Sequence, residues 1–249
     1  MCENGLDTHH HGLFQEVCRF LMYALLIADE TDEAAILAHA LQRTGVAVTS
    51  SNDLERAMRS WSERPADLVL IAWHKTNPTE QLRRIRAETE AMLAMVIDPV
   101  SEITYCKLLE NGADHIVTRP FSSRRLAAHV RAMLRRAGSV PLLSLPKLDV
   151  GGLVLDPTDR TVQVNHRPRK RLTHLEFRLL YTLMTHMGQV LPTDTIVDRV
   201  WGYSDQGDRE LVRGLVSRLR SKVEPESQRP RYIHTVAGVG YTFRFEELK

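Results

Sequence analysis

Between Tyr23 and Arg136 five short apolar runs alternate with five helix-like stretches, and this alternation limits the fold more than any other feature of the chain. The runs are 24–27, 46–48, 68–71, 95–97 and 115–117. After the first, Ala34, Leu37, Ala38 and Leu41 recur on one helical face as far as Gly45. Helical patterns also cover 54–61, 81–92, 103–109 (stopped by Asn111-Gly112) and 122–136. Strands that are apolar throughout, without polar alternation, belong to a parallel sheet covered on both faces. Right-handed crossovers then give a doubly wound α/β domain with its functional crevice at the C-terminal strand ends.

The pattern changes after residue 136. Residues 137–147 (AGSVPLLSLPK) hold small residues and two prolines without helical period, as a linker does. From Leu148 to Arg171 apolar and polar residues alternate, with turn signals at Gly151-Gly152 and Asp156-Pro157, so a short antiparallel sheet is expected. Thr173 and Glu176 have the spacing of a helix capping box ahead of Phe177, Leu179, Leu180, Leu183 and Met184. A second helix is expected from Thr193 to Trp201, and a third over 209–224. Apolar-rich segments at 232–236 and 241–245 flank Ala237-Gly238-Val239-Gly240 as a hairpin.

In the third helix Val212, Leu215, Val216, Leu219 and Val223 form an apolar stripe. Glu210, Arg213, Gly214, Ser217, Arg218 and Ser221 lie opposite. An arginine-bearing face on a packed helix suits the DNA major groove, because arginine can donate two hydrogen bonds to guanine. Alone, such a helix reads as a solvated amphipathic helix. Two preceding helices and a following hairpin make it the reading element of a winged helix-turn-helix.

The stretches "LTHLEFRLLYTLMTHMGQVLPTDTIVDRVWGY", "LVSRLRSKVE" and "YIHTVAGVGYTF" resemble the effector domain of OmpR/PhoB-type response regulators, and "NGADHIVTRPFSSRRL" resembles their receiver domain. The resemblance divides the chain into an N-terminal extension (1–21), a receiver (22–136), a linker (137–147) and a DNA-binding domain (148–249). It places Arg213, Ser217 and Arg218 toward the groove and Arg220 and Lys222 nearer the phosphates, with Arg209 a further DNA-binding residue. Ala237 stands where the wing usually carries an arginine, so Arg231, His234 or Arg244 are the substitutes for phosphate contact.

The receiver departs from its pattern. Phosphotransfer needs an acidic pair for Mg²⁺, an aspartate nucleophile, a hydroxyl residue and a lysine. Here Ala28 and Asp29 stand for the acidic pair, Ala72 for the nucleophile, Ile97 for the hydroxyl residue and Arg119 for the lysine; Ile116 takes the place of the aromatic switch. A methyl group cannot form an acyl phosphate. Arg119 is expected to pair with Asp29 as a frozen ion pair. Asp67 lies at the wrong end of its strand to accept a phosphoryl group, and Asp98 lacks a complete metal site around it. The resemblance also implies a twofold dimer face on Tyr105, Lys107, Asp114, His115, Arg125, His129 and Arg131.

Composition is ordinary for a globular protein, with 43% hydrophobic and 26% charged residues, so it excludes little. No apolar run reaches the ~18 residues of a membrane span. Cys2, Cys18 and Cys106 have no paired spacing, against a zinc site or disulfide frame and in favour of the cytoplasm. Cys106 reads as a half-buried helix residue before a redox sensor. His9-His10-His11 reads as an incidental or tag-like tract in the leader. Residues 137–249 hold 17 basic and 13 acidic side chains, a bias compatible with nucleic acid. No Ser-His-Asp spacing, HExxH, P-loop or GxGxxG is present, which weighs against an enzyme. The expectation is a DNA-binding transcription regulator, homodimeric and without a cofactor or metal, with double-stranded DNA and RNA polymerase as partners. A protein-interaction adaptor with weak DNA binding is the alternative.

Overall fold

The structure is a computed structural model that describes residues 22–59, 61, 65–74, 78–138, 145–203, 209–226 and 229–245. The leader, with His9–His11, Cys2 and Cys18, and linker residues 139–144 lie outside the described residues.

The first domain consists of β1 (Tyr23–Ala28), α1 (Thr31–Gln42), β2 (Ala47–Ser51), α2 (Leu54–Arg59), β3 (Leu68–Ala72), α3 (Pro78–Glu88), β4 (Met92–Ile97), α4 (Glu102–Glu110), β5 (His115–Thr118) and α5 (Ser123–Gly138). All four strand pairings are parallel, in the order β2-β1-β3-β4-β5. β1, β3 and β4 are buried along their whole length, which is why they carry no polar alternation. The expected helix over 81–92 begins and ends earlier. Its last turn is closed off by Arg86, whose Nη1 donates to the carbonyls of Thr89 and Ala91, and Met92 begins the next strand instead.

The second domain opens with the antiparallel sheet β6 (Leu148–Val150), β7 (Leu153–Asp156), β8 (Thr161–Val164) and β9 (Lys170–Arg171). The three helices are α6 (His174–Thr185), α7 (Thr193–Val200) and α8 (Arg209–Val223). The capping box of α6 is formed in both directions. Thr173 Oγ1 accepts from the Glu176 amide, and Glu176 accepts from the Thr173 amide. The hairpin β11 (Ile233–Val236) and β12 (Gly240–Phe243) gains a third strand, β10 (Val190–Pro192), which pairs with β12. Three residues ending in proline leave too short a pattern for this strand to be read from sequence. At Gly240 a Cβ would lie 2.0 Å from the Leu191 carbonyl oxygen, so only glycine lets the strands meet there. Trp201, Tyr232 and Phe243 are among the largest fully buried side chains of this domain.

Candidate nucleic-acid interface and receiver crevice

Ion pairs span part of the crevice above the parallel sheet. β3 ends in Ala72, fully buried and paired in register with Ala28, so two methyl groups occupy the centre of the site. The pairing anticipated between Arg119 and Asp29 is replaced by two others. Arg119 donates from Nε and Nη2 to both carboxylate oxygens of Glu33, at 2.7 and 2.6 Å, and its Nη1 lies 3.6 Å from Asp98. Glu33 wins because it stands in the first turn of α1, where a planar guanidinium can engage it with two parallel bonds. Asp29 instead accepts from the His74 amide and contacts His74 Nδ1 at 3.1 Å. Burial pushes the Asp29 carboxyl up, but these bonds outweigh it and hold it below the usual range. The bond to Glu33 likewise raises the pKa of Arg119 against burial. Ile97 and Ile116 are buried. Asp67 serves the other end of the sheet, accepting from the Tyr23 amide at 2.8 Å. Among the described residues no group of three or more His, Cys, Asp or Glu side chains could hold a metal ion.

The DNA-reading candidates fall into three groups. Arg209, Arg213 and Ser217 are exposed on α8. Arg220, Lys222, Arg231 and His234 are tied within their own domain. Arg220 donates to the Ile233 carbonyl and Thr235 Oγ1, and Lys222 to Glu176 and the Arg171 carbonyl. Arg231 lies over the Phe245 ring at 4.7 Å, and His234 Nε2 is 3.4 Å from the Arg231 carbonyl.

Arg218 departs most from expectation. It is buried, and its Nη2 donates to Asp114 Oδ1 of the receiver at 2.7 Å. Arg86 binds the other oxygen of Asp114 at 2.8 Å, and the Leu93 amide adds a third bond. Burial opposes ionisation of Asp114, yet the two arginines and the amide keep it below the usual carboxylate range. Gly214 and Arg218 of the polar face of α8 therefore pack on the receiver, while Arg213 and Ser217 of the same face stay exposed. At Gly214 a Cβ would come within 2.6 Å of Leu109 Cβ on α4, so the absent side chain is what lets the helices meet. Around this contact Trp201 Nε1 donates to the Asp114 carbonyl, and Tyr203 Oη lies 3.0 Å from His115 Nδ1. His129 stacks on Tyr203 and is 3.2 Å from His115 Nε2. Asp114, His115 and His129 were expected on a dimer face; here they meet the chain's own second domain. Cys106 sits on α4, and burial raises its thiol pKa although Arg213 of α8 pulls the other way.

Residues 167–243 match the family described as "Transcriptional regulatory protein, C terminal". Two solved structures of RitR, each a mutant with one cysteine replaced (by serine in one, by aspartate in the other), match over 90% of this chain and all of theirs, at 23% and 21% identity with TM-scores of 0.73 and 0.71. The C-terminal part thus carries a transcriptional regulatory domain, and the chain as a whole shares the RitR fold. The Thermotoga maritima OmpR/PhoB homologue DrrB matches at 24% identity over 90% of this chain and all of its own, with a TM-score of 0.46. No helix among the described residues is long and apolar enough to cross a membrane.

Sequence reasoning missed Glu33, His74, Arg86, Trp201 and Tyr203 as members of these sites. Glu33 and His74 carried a weak signal, being polar residues close in sequence to Asp29 and Ala72. Arg86, Trp201 and Tyr203 carried none, since their partners lie on distant elements.

Proposed function

We propose that this protein is a sequence-specific DNA-binding transcription regulator that acts without aspartyl phosphorylation, and that its receiver controls access to the reading helix. The observation that carries this is the burial of Arg218 against Asp114, which ties part of the DNA-reading face of α8 to the receiver and leaves Arg213 and Ser217 exposed beside it. Ala72 supports the first half: no carboxylate stands where the acyl phosphate would form. In the closed arrangement only the fraction of molecules with α8 released can read DNA, so apparent affinity is lowered by that fraction. Two nitrogens of the Arg218 guanidinium, Nε and Nη1, have no hydrogen-bond partner among the described residues. A partly satisfied buried charge makes a contact that can open.

Release would free Asp114, His115 and His129 together with α8. Dimerisation through α4, β5 and α5 and DNA reading then compete with the same internal contact, and the receiver acts as a dimerisation or ligand-sensing module once opened. The partly covered reading face is also what an adaptor working through protein contacts would show, and it keeps that second reading in play.

The test is selection of bound fragments from genomic DNA by the purified full-length protein without phosphodonor, followed by affinity measurement on the selected site and on random DNA. Selective binding supports the regulator; equal weak binding to both supports the adaptor.

A further inference from the structure

A second basic surface stands apart from α8. The turn between β8 and β9 and the strand that follows read Asn165-His166-Arg167-Pro168-Arg169-Lys170-Arg171, with four cationic side chains in the last five residues, all exposed. The turn is firmly built. Asn165 takes a left-handed φ of 50°, its amide donates to the Gly152 carbonyl at 2.6 Å, the Arg167 amide donates to the Val164 carbonyl, and Gln163 Nε2 donates to the Arg167 carbonyl. No carboxylate among the described residues pairs with Arg167, Arg169 or Lys170. Lys170 Nζ reaches the Ser221 carbonyl at the C-terminal end of α8.

Cationic side chains on an edge strand guard against edge-to-edge pairing. That role accounts for β9 itself but not for Arg167 and Arg169, which lie outside it. Guanidinium groups without carboxylate partners on one exposed rim are suited to phosphate, which they bind through paired hydrogen bonds and by displacing counterions. These side chains are accessible while Arg218 of α8 is covered.

We propose that the 165–171 turn is an anchor for the phosphate backbone of duplex DNA that works independently of α8 and holds the closed protein on DNA of any sequence. Such an anchor keeps the regulator near its sites before the reading helix is released, and leaves sequence choice to Arg213 and its neighbours.

The experiment is the salt dependence of binding of the full-length protein to a random-sequence duplex, read by fluorescence anisotropy over a range of KCl concentrations. Each phosphate contact contributes about 0.9 to the slope of log K against log salt. The variant Arg167→Gln/Arg169→Gln/Lys170→Gln should flatten the slope by about two to three and weaken low-salt binding roughly tenfold or more. Arg167→Lys/Arg169→Lys should keep most of the slope. The control Arg56→Gln/Arg124→Gln/Arg135→Gln removes the same charge from exposed receiver positions and should leave the slope unchanged. An unchanged slope in the turn variant overturns the proposal, as does equal flattening by the control. Loss of random-duplex binding on Arg213→Ala alone would also overturn it, by assigning that binding to α8. Sequence-specific reading is measured separately on the selected site, so the two ideas fail independently.

Discussion

The receiver carries two clusters of charge that differ in what they hold together. In the crevice, Arg119 and Glu33 bind each other within one domain, and the Asp29–His74 pair beside them is partly open, with 39% of the histidine side chain exposed. At the domain contact, Asp114 is 1% exposed and binds arginines from two domains at once. The first cluster stands where this fold does its chemistry and has become a static clasp. The second stands where no chemistry is expected and buries Arg218 of the reading helix. On the reading proposed above, control in this protein has moved from the crevice to the domain contact.

That contrast can be broken most sharply by removing one carboxylate from each cluster. Asp114→Ala strands buried Arg218 and part-buried Arg86 and should lower unfolding stability by about 3–5 kcal/mol. Asp29→Ala removes a partly exposed pair and should cost at most about 1 kcal/mol. Chemical denaturation of both variants checks this, and equal losses would show that the domain contact has no special weight.

A pH effect of nearly that size is expected from His174. Burial, helped by Arg160, lowers its pKa to about 4. The folded state therefore favours the neutral ring, and this contribution is complete above the unfolded pKa near 6.5. It is lost as pH falls from there toward 4, by about 3 kcal/mol at the full shift. His174→Gln should flatten stability over that window, and an unchanged pH profile would remove His174 from the account. Asp114, whose pKa is depressed, contributes stability that persists through this window and is lost only below the ordinary carboxylate range.

Gly214 distinguishes packing from charge at the same contact. Gly214→Ala should favour the isolated α8 by about 1 kcal/mol through helix propensity. It should nonetheless loosen the closed form, because the new methyl meets Leu109. Hydrogen exchange should show faster α4 amides in the variant, and unchanged protection would mean that the helices have room to spare. The smallest effect is expected from acetyl phosphate with Mg²⁺: no change in mass, oligomeric state or DNA affinity, in wild type or in Ala72→Asp. An aspartyl phosphate on either would return control to the crevice.

Much of this molecule was legible in its sequence, for reasons that can be traced. The five parallel strands announce themselves because both faces are buried. The α6 capping box and the Gly240 hairpin are local devices whose residues lie within a few positions of one another. Ala72 is legible because the end of a strand can be counted. The domain contact was not legible, because Arg218 and Asp114 are 104 residues apart and an amphipathic helix looks the same whether its polar face meets DNA, water or a neighbouring domain. Lys222 was read as a phosphate contact for the same reason, although Glu176 holds it within its own domain. Arg119 was correctly read as part of an ion pair, but its partner depended on which acid of the α1 entry lies within reach of the guanidinium, a matter of ångströms that residue order does not encode.

The central claim is that the Asp114–Arg218 contact holds the reading helix away from DNA. Its most direct test is the affinity of full-length wild type and Asp114→Asn for the selected site. The asparagine keeps the shape of the side chain, removes the charge that both arginines share, and lies in the receiver, away from any DNA contact. The account predicts roughly tenfold or more tighter specific binding by the variant, as the released fraction rises. Equal or weaker binding by a folded Asp114→Asn protein would contradict it.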